Sequence, residues 1–130
     1  MPRSKTAAAA PAALDSSCWL EYFSDSAHAK RYAELIENTA ALIVPIVTIY
    51  EVYKVALREF GAAHANQAVA LMREGDVIDV NLNIALSAAA TGLPMADSLI
   101  YATAQMRGAT LWTQDQHFEG LPGVKYFPKN

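Results

Sequence analysis

Short apolar runs alternate along this chain with longer segments in which apolar residues recur every three or four positions. The apolar runs predict five strands, at 12–14, 41–47, 77–80, 109–113 and 124–127. The periodic segments predict helices after each of the first three strands. Because strands and helices alternate, we expect an α/β fold whose parallel sheet is covered by helices on both faces.

Capping and breaking residues predict where these helices begin and end. Ser16 or Ser17 is expected to cap the first helix, and Asp25 or Ser26 to start the second. Further boundaries are expected at Thr48, Gly61, Asn81, Gly92, Pro94 and Gly108. In the helix after Pro94, a buried apolar stripe is predicted from the spacing of Met95, Leu99, Ala102 and Met106.

The length of 130 residues is that of one domain, which we expect to span 12–130 after a flexible tail at 1–11. The start superficially resembles a signal peptide, but its alanine run is short and is interrupted by Pro11. Cys18 is the sole cysteine, which excludes an intrachain disulfide. No stretch reaches the roughly 20 apolar residues of a membrane span. We therefore expect a cytoplasmic protein without membrane association.

Four carboxylates are predicted to meet at one edge of the sheet. Asp15 and Asp115 follow strand ends, while Glu51 and Asp97 lie near helix starts. Because the carboxyl ends of parallel strands share an edge, these side chains are expected to converge there. Asp97 has no evident capping or pairing partner in its own helix. Ser16 and Thr113 are candidate hydroxyls to orient the carboxylates.

Such a cluster is electrostatically costly, because each ionised carboxylate disfavours ionisation of its neighbours. A divalent cation removes that cost, and all-oxygen ligands suit Mg²⁺ or Mn²⁺. The ion would activate water and stabilise charge on a phosphodiester. Lys54 and Arg58 share a helix face with Glu51 and are candidate phosphate ligands. The net charge of −3 provides no overall basic field, so nucleic acid would have to meet a local patch.

Each of these residues also has a purely structural interpretation. Asp15 can cap a helix, Glu51 can pair with Lys54, Asp97 can complement a helix dipole, and Asp115 can form a turn. The three histidines, His28, His64 and His117, show no metal-ligand spacing, and each is expected to be a surface residue, with His117 close in sequence to Asp115.

Three segments resemble PIN domains, and specifically the VapC-type ribonuclease toxins of prokaryotic toxin–antitoxin pairs. They are LDSSCWLEYF, TIYEVYK and LPMADSLIYATAQMRGATLWTQDQHFEGLPGV. The family pattern of three separated acids and a final Thr-x-Asp corresponds here to Asp15, Glu51, Asp97, Thr113 and Asp115. One departure is the Ala/Pro-rich lead before the first strand, since family members usually open on a strand rich in Val, Ile and Leu.

The resemblance implies a three-layer α/β/α sandwich with a short, mostly parallel sheet. It further implies a Mg²⁺- or Mn²⁺-dependent endoribonuclease that forms a homodimer and is inhibited by an antitoxin chain. Aromatic residues at 19–23 and 50–53 are candidate contacts for such partners.

Two other classes of protein fit this sequence less well. A phosphatase of the haloacid-dehalogenase type requires an Asp at the position of Ser17, and a receiver domain requires an acidic pair and a late lysine that are missing here. A non-catalytic PIN-like scaffold that binds RNA or protein remains the alternative.

Overall fold

The chain folds around a five-stranded sheet in which every pair of neighbouring strands is parallel. The computed structural model describes residues 11–129. Its strands are β1 (Ala12–Leu14), β2 (Leu42–Pro45), β3 (Asp76–Ile78), β4 (Thr110–Thr113) and β5 (Val124–Tyr126), in the spatial order β3-β2-β1-β4-β5. The predicted parallel sheet is thereby confirmed. Residues 1–10 of the expected tail lie outside the described residues, whereas the Pro11 carbonyl accepts a hydrogen bond from Thr110 N at 2.9 Å.

Helices cover both faces of this sheet. They are α1 (Ser16–Phe23), α2 (Ala29–Glu37), α3 (Ile46–Phe60), α4 (Ala62–Met72), α5 (Leu82–Ala89) and α6 (Met95–Met106), with 3₁₀ turns at Thr39–Ala41 and Gln116–Phe118. Helices α1 to α4 contribute to the core on one face, and α5 and α6 contribute to the core on the other. The chain is therefore a three-layer α/β/α sandwich.

Alternation along the short strands divides the core between the two faces. In β1, Ala13 joins the cluster beneath α6, whereas Leu14 joins the cluster beneath α1 and α2. In β2, Leu42 and Val44 lie on the same side as Leu14, and Ile43 packs on the opposite side. Successive strand residues point to opposite faces, so even a three-residue strand supplies both layers. Full burial of a leucine stabilises the fold by roughly 1.5–3 kcal/mol.

Two predicted boundaries in the first half of the chain are wrong. The run at 41–47 ends its strand at Pro45, which has no N–H to extend the ladder, and Ile46 begins α3. Thr48 is therefore a buried residue inside the helix and does not cap it. The second helix begins at Ala29, because the backbone N–H groups of residues 24–26 bond back to carbonyls of α1, and Asp25 has a φ of 52°.

The apolar stripe predicted for α6 is also wrong at both ends. Met95 is 79 % exposed, and Met106 is exposed as well. The buried face consists instead of mostly small or polar residues, namely Ser98, Ile100, Tyr101, Ala102, Thr103 and Ala104. This helix is covered by the sheet on one side and by α5 on another. The hydroxyls of Ser98 and Thr103 donate to carbonyls of the same helix, whereas the Tyr101 hydroxyl donates to the Pro122 carbonyl at 2.7 Å. Two contact surfaces bury more of a helix than one stripe.

Candidate active site

Asp15 follows β1 directly and caps α1. Its Oδ1 accepts hydrogen bonds from Ser17 N at 2.9 Å, from Ser17 Oγ at 2.5 Å and from Cys18 N at 3.4 Å. The expectation that Ser16 or Ser17 would cap this helix is wrong, because the carboxylate one residue earlier occupies that place. The Asp15 carboxylate is therefore positioned both by the end of β1 and by the start of α1.

Thr113, the last residue of β4, joins Asp15 to Asp115. Its Oγ1 donates to Asp15 Oδ2 at 2.6 Å and accepts from Asp115 N at 2.9 Å. Because β1 and β4 are neighbours in the sheet, with Leu14 paired to Trp112, the two strand ends lie side by side. A single hydroxyl thus orients the Asp15 side chain and the backbone that carries Asp115.

Asp15 is almost completely buried, with 3 % of its surface exposed. Burial raises the pKa of its carboxyl to about 6, although the hydrogen bonds from Ser17 and Thr113 act in the opposite direction. A buried carboxylate with a raised pKa is costly to ionise, and such groups are typical of functional sites.

Glu51 reaches the same edge from the second turn of α3. Its Oε1 accepts a hydrogen bond from Ser16 Oγ at 2.9 Å. The pKa of Glu51 is raised, first by partial burial and then by the nearby charges of Asp97 and Asp115, while the Ser16 hydrogen bond opposes the shift. The effect of Asp97 and Asp115 on the pKa of Glu51 indicates that Glu51 lies near them at this edge.

Asp97 and Asp115 are brought together with His117, which the sequence interpretation left at the surface and outside the site. His117 Nδ1 lies 2.7 Å from Asp97 Oδ2 and 3.4 Å from Asp115 Oδ1. One ligand atom from each of these three residues lies within 4.8 Å of the others. No partner was expected for Asp97 within its own helix, and the partner that it has lies outside α6, in the 3₁₀ turn that contains His117. The signal that was available is the spacing in Asp115-Gln-His117, where the Asp115 carboxylate caps the short 3₁₀ turn through His117 N at 2.9 Å.

Electrostatic effects within this group act in both directions. The pKa of Asp97 is raised chiefly by burial and also by Asp115, while the His117 hydrogen bond lowers it. The pKa of His117 is raised, first by its hydrogen bond to Asp97 and then by the charge of Asp115. When protonated, the His117 imidazole supplies part of the positive charge that the carboxylates of Asp97 and Asp115 require.

Two open grooves flank Asp115, with volumes of about 440 Å³ and 380 Å³. Ser17, Asp115 and Lys129 line both grooves. The first groove is completed by Gln114, Gln116, Tyr126 and Pro128, and the second includes Asp15, Glu21, Glu59 and Phe60. The acidic edge is thus open to solvent on two sides, so that an extended polymer could reach it.

A sequence profile of the PIN domain family matches residues 12–124 of this chain. The chain belongs to the PIN domain family. Solved structures with the same fold include a toxin–antitoxin complex from Klebsiella pneumoniae, with 24% identity and a TM-score of 0.74, which covers 88% of this chain and 95% of its own. No curated protein matches.

Two further structures are more distant in sequence from this PIN domain. DNA-bound VapBC from Salmonella typhimurium has 18% identity and a TM-score of 0.68, covering 92% of this chain and 98% of its own. VapC20 from Mycobacterium tuberculosis, described as a sarcin-ricin loop cleaving toxin, has 15% identity and a TM-score of 0.69, covering 85% and 94% respectively. At these identities, the likeness establishes the fold alone.

Lys54 and Arg58 lie on α3 of this PIN domain but do not line either groove. Arg58 Nη2 pairs with Glu59 Oε2 at 3.1 Å, and both side chains are exposed. Lys54 Nζ lies 5.8 Å from the centroid of the Tyr50 ring, and its charge lowers the pKa of Glu51. Lys54 is therefore near the acidic edge, whereas Arg58 is engaged with a neighbour on the outside of the helix.

The donor set of this PIN domain fits a hard divalent cation. Asp97 and Asp115 offer carboxylate oxygens within 4.8 Å of one another, and Asp15 and Glu51 lie on the same edge. Carboxylate oxygens are the ligands that Mg²⁺ and Mn²⁺ prefer, and Mn²⁺ also accepts imidazole.

None of the helices in the described part of the chain is long and apolar enough to cross a membrane.

Proposed function

We propose that this PIN domain is a Mg²⁺- or Mn²⁺-dependent endoribonuclease that hydrolyses RNA phosphodiesters, and that it is the toxin of a toxin–antitoxin pair. The observation that carries the proposal is the convergence of Asp15, Glu51, Asp97 and Asp115 at the carboxyl end of a parallel sheet, beside two open grooves. The alternative is a PIN-like scaffold that binds RNA or protein without cutting.

The energetic cost of burying these carboxylates favours a catalytic role over a purely structural one. Burial raises the pKa of Asp15, Glu51 and Asp97, so the fold holds three carboxyls in places that disfavour their charged form. A fold that needed only caps or turns would place such groups at exposed positions. A bound cation reverses the penalty, because the ionised carboxylates then gain a positive partner.

Asp97 and Asp115 would hold the cation, with Asp15 and Glu51 close enough to complete its shell directly or through water. When bound, such an ion supplies charge stabilisation at a phosphodiester and a water of lowered pKa. Thr113 and Ser17 keep the Asp15 carboxylate in one orientation, and Ser16 does the same for Glu51. Lys54, close to Glu51, would attract the RNA backbone, and Arg58 would do so from farther along the same helix.

An apolar groove beside the site supports the proposed antitoxin. This groove, of about 460 Å³, lies between α1, α3 and α4 and includes Phe23, Phe60 and Leu71. Tyr50 and Leu57 add exposed apolar surface on α3, whereas Trp19 is buried in the core and offers no contact surface. An amphipathic helix fits such a groove, and occupation near Phe60 would restrict access to the second groove at the acidic edge.

Relatives with this fold support the same biological role. They include a toxin–antitoxin complex, a DNA-bound VapBC and a sarcin-ricin loop cleaving toxin. The homodimer, the antitoxin and the cytoplasmic location are therefore parts of the proposal. Sedimentation of the purified chain is expected to give a dimer. Co-purification from the native host is expected to recover a small companion whose removal releases RNA cutting, and monomers without such a companion would contradict this part.

Cleavage with and without chelator tests the catalytic part. The full chain is incubated with total RNA in Mg²⁺ or Mn²⁺, in EDTA, and in EDTA followed by excess cation. Cutting is expected with the cation, to stop in EDTA and to return after addition. Glu74→Gln is the matched control, because Glu74 is an exposed acid that precedes β3 and so lies at the opposite, amino end of the sheet, and it should cut normally. Cutting that persists in EDTA would contradict metal dependence, and RNA binding without cutting would establish the scaffold.

A further inference from the structure

Lys129 occupies the junction of the two grooves that flank Asp115. The two grooves have three lining residues in common, and Lys129 is the basic member of that set, beside Ser17 and Asp115. Because the two grooves share these lining residues, they lie side by side at the acidic edge, and we call the pair of grooves the track. A strand of nucleic acid lying in that track would pass Lys129 on its way past the carboxylates.

The segment that carries Lys129 is held in place by backbone and ring contacts. Phe127 N donates to the Thr113 carbonyl at 2.8 Å, which extends the pairing of β5 with β4. The Phe127 ring packs against Tyr32 and Trp112, at centroid distances of 5.9 Å and 5.3 Å. His28 Nε2 donates to the Lys129 carbonyl at 2.9 Å. The backbone of residue 129 is therefore fixed beside the site, while its charged side chain is exposed.

The charges of the residues that line the track distinguish Lys129 from its neighbours. Among the described residues that line the two grooves, Lys129 is the sole Lys or Arg, whereas Asp15, Glu21, Glu59 and Asp115 are acids. A polyanion that enters an acidic groove is repelled unless a cation neutralises a phosphate. Lys54 and Arg58, the cations that the sequence suggested, lie outside both grooves.

We propose that Lys129 binds a phosphate of the RNA backbone next to the scissile one and so sets the path of the substrate across the acidic edge. This inference rests on the proposed function. The fixed backbone places the lysine within reach of a bound strand, and its flexible four-carbon side chain supplies a positive point charge that is ordered when the phosphate arrives. The phosphate contact does not select a base, so the lysine should affect RNA of any sequence alike.

Binding without cleavage provides the test. A fluorescein-labelled single-stranded RNA of mixed sequence is titrated with the full chain in EDTA, at several salt concentrations, by fluorescence anisotropy. We compare wild type, Lys129→Gln, Lys129→Arg and the control Lys125→Gln. Lys125 lies in the same segment but its Nζ sits 4.4 Å from the centroid of the Trp112 ring, and it lines neither groove.

Lys129→Gln is expected to weaken RNA binding about fivefold to tenfold at low salt and to lower the slope of log affinity against log salt by about 0.7, the value for one phosphate contact on a single strand. Lys129→Arg should restore both quantities, and Lys125→Gln should change neither. Equal effects of the two Gln variants, or a Lys129→Gln slope equal to that of wild type, would overturn the proposal.

This binding experiment, set beside the cleavage assay with cation, separates this inference from the proposed function. If the chain binds RNA with the expected dependence on Lys129 but never cuts it, the nuclease assignment fails while the phosphate contact stands. If the chain cuts RNA and Lys129→Gln binds as tightly as wild type, the nuclease assignment stands and the phosphate contact fails. A wild type that binds no RNA at all would overturn the contact as well.

Discussion

The acidic edge has a buried half and an open half, which are built differently. Asp15 is 3 % exposed and accepts four hydrogen bonds, from Ser17, Cys18 and Thr113. In the open half, the Asp97 side chain is 14 % exposed and the His117 side chain 54 % exposed, and the pair joins through one contact. The fold therefore sets the position of Asp15, whereas Asp97 is paired with a histidine whose side chain is more than half exposed.

This difference indicates that the buried half and the open half of the acidic edge have different roles. A buried, multiply bonded carboxylate keeps its geometry whether or not a cation is bound, since its donors belong to the strand end and the helix start. A carboxylate paired with an exposed imidazole can exchange that partner for a cation at little cost. Substitutions in the buried half should therefore change stability and activity together, while those in the open half should change activity alone.

Asp97→Asn tests the open half and should have the largest effect. Loss of a ligand charge is expected to reduce RNA cutting by more than the about 10–100-fold typical of residues that only orient ligands. The free energy of unfolding should change by no more than about 1 kcal/mol, the scale of a helix-dipole contribution. Single-turnover cleavage and urea unfolding measure the two quantities. A variant that cuts as fast as wild type would refute the metal-nuclease assignment, and a large loss of stability would refute the division between the halves.

The pH dependence of stability tests the buried half. The pKa of Asp15 is raised to about 6 in the folded state, so the folded chain binds more protons than the unfolded chain in the range between its ordinary and raised values. Stability from this group is present at acidic pH and is lost as the pH rises through about 6. The raised pKa of Glu51, Asp97 and His117 acts with the same sign.

In EDTA, the free energy of unfolding is therefore expected to rise as the pH falls from about 8 to about 5, by on the order of 1–1.5 kcal/mol from Asp15. Asp15→Asn should flatten this dependence and raise stability at the upper end. Mn²⁺ should stabilise wild type more at the upper end than at the lower end, since protons compete with the cation. Urea unfolding across the range measures all three, and an equally steep profile in Asp15→Asn would contradict the assignment to this residue.

Thr113→Val removes the hydroxyl that connects the two halves. Asp15 Oδ2 loses a donor and Asp115 N loses an acceptor, which should cost about 1–3 kcal/mol of stability. Activity should fall at the same time, because both acids lose a fixed orientation. Thr113→Ser is the matched control, since it keeps the hydroxyl, and it should retain most activity. Normal cleavage by the Val variant would show that Thr113 does not orient the acids.

His117→Gln tests how firmly the imidazole holds Asp97. Because His117 is exposed, its replacement should leave the thermal midpoint nearly unchanged. If the imidazole orients Asp97, cutting should fall about tenfold and the Mn²⁺ concentration needed for half-maximal cutting should rise. His64→Gln, on α4 and away from the acids, serves as the control. An unchanged cation requirement would indicate that the contact with Asp97 is incidental.

Lys54→Ala is expected to have the smallest effect. Lys54 lies near Glu51 but outside both grooves, so its loss should weaken RNA binding no more than about threefold and reduce the salt slope only slightly. Arg58→Ala should have less effect still, since Arg58 is paired with Glu59. Anisotropy with labelled RNA measures both variants. A larger loss for Lys54→Ala than for Lys129→Gln would move the RNA path from the grooves to α3.

The local pattern was sufficient to predict the architecture. Apolar runs of a few residues, separated by helical periodicity, predicted the parallel sheet, and Asn81 was rightly predicted to cap α5. Parallel strands share one carboxyl edge, so the positions of Asp15 and Asp115 at strand ends predicted that they would be neighbours. These are short-range or topological consequences, and they do not depend on side-chain packing.

The errors fall where a residue has two competing local roles or two packing surfaces. Ser16, Ser17 and Asp15 are all good helix caps, and the strand end decided among them in favour of Asp15. The stripe from Met95 to Met106 followed one-sided periodicity, whereas α6 is covered by both the sheet and α5. The sequence pattern records how apolar a position is, but not how many neighbours will cover it.

The sequence by itself therefore predicted the alternation of strands and helices along the chain, an acidic edge of the sheet and the chemistry that four carboxylates can support. The tertiary structure alone decided that Asp15 is the buried member, that His117 pairs with Asp97, and that Lys129 lies beside Asp115. Each of these depends on contacts between residues far apart in the chain, such as the 101 positions between His28 and Lys129. Such contacts are formed only when the whole core packs, and no local periodicity encodes them.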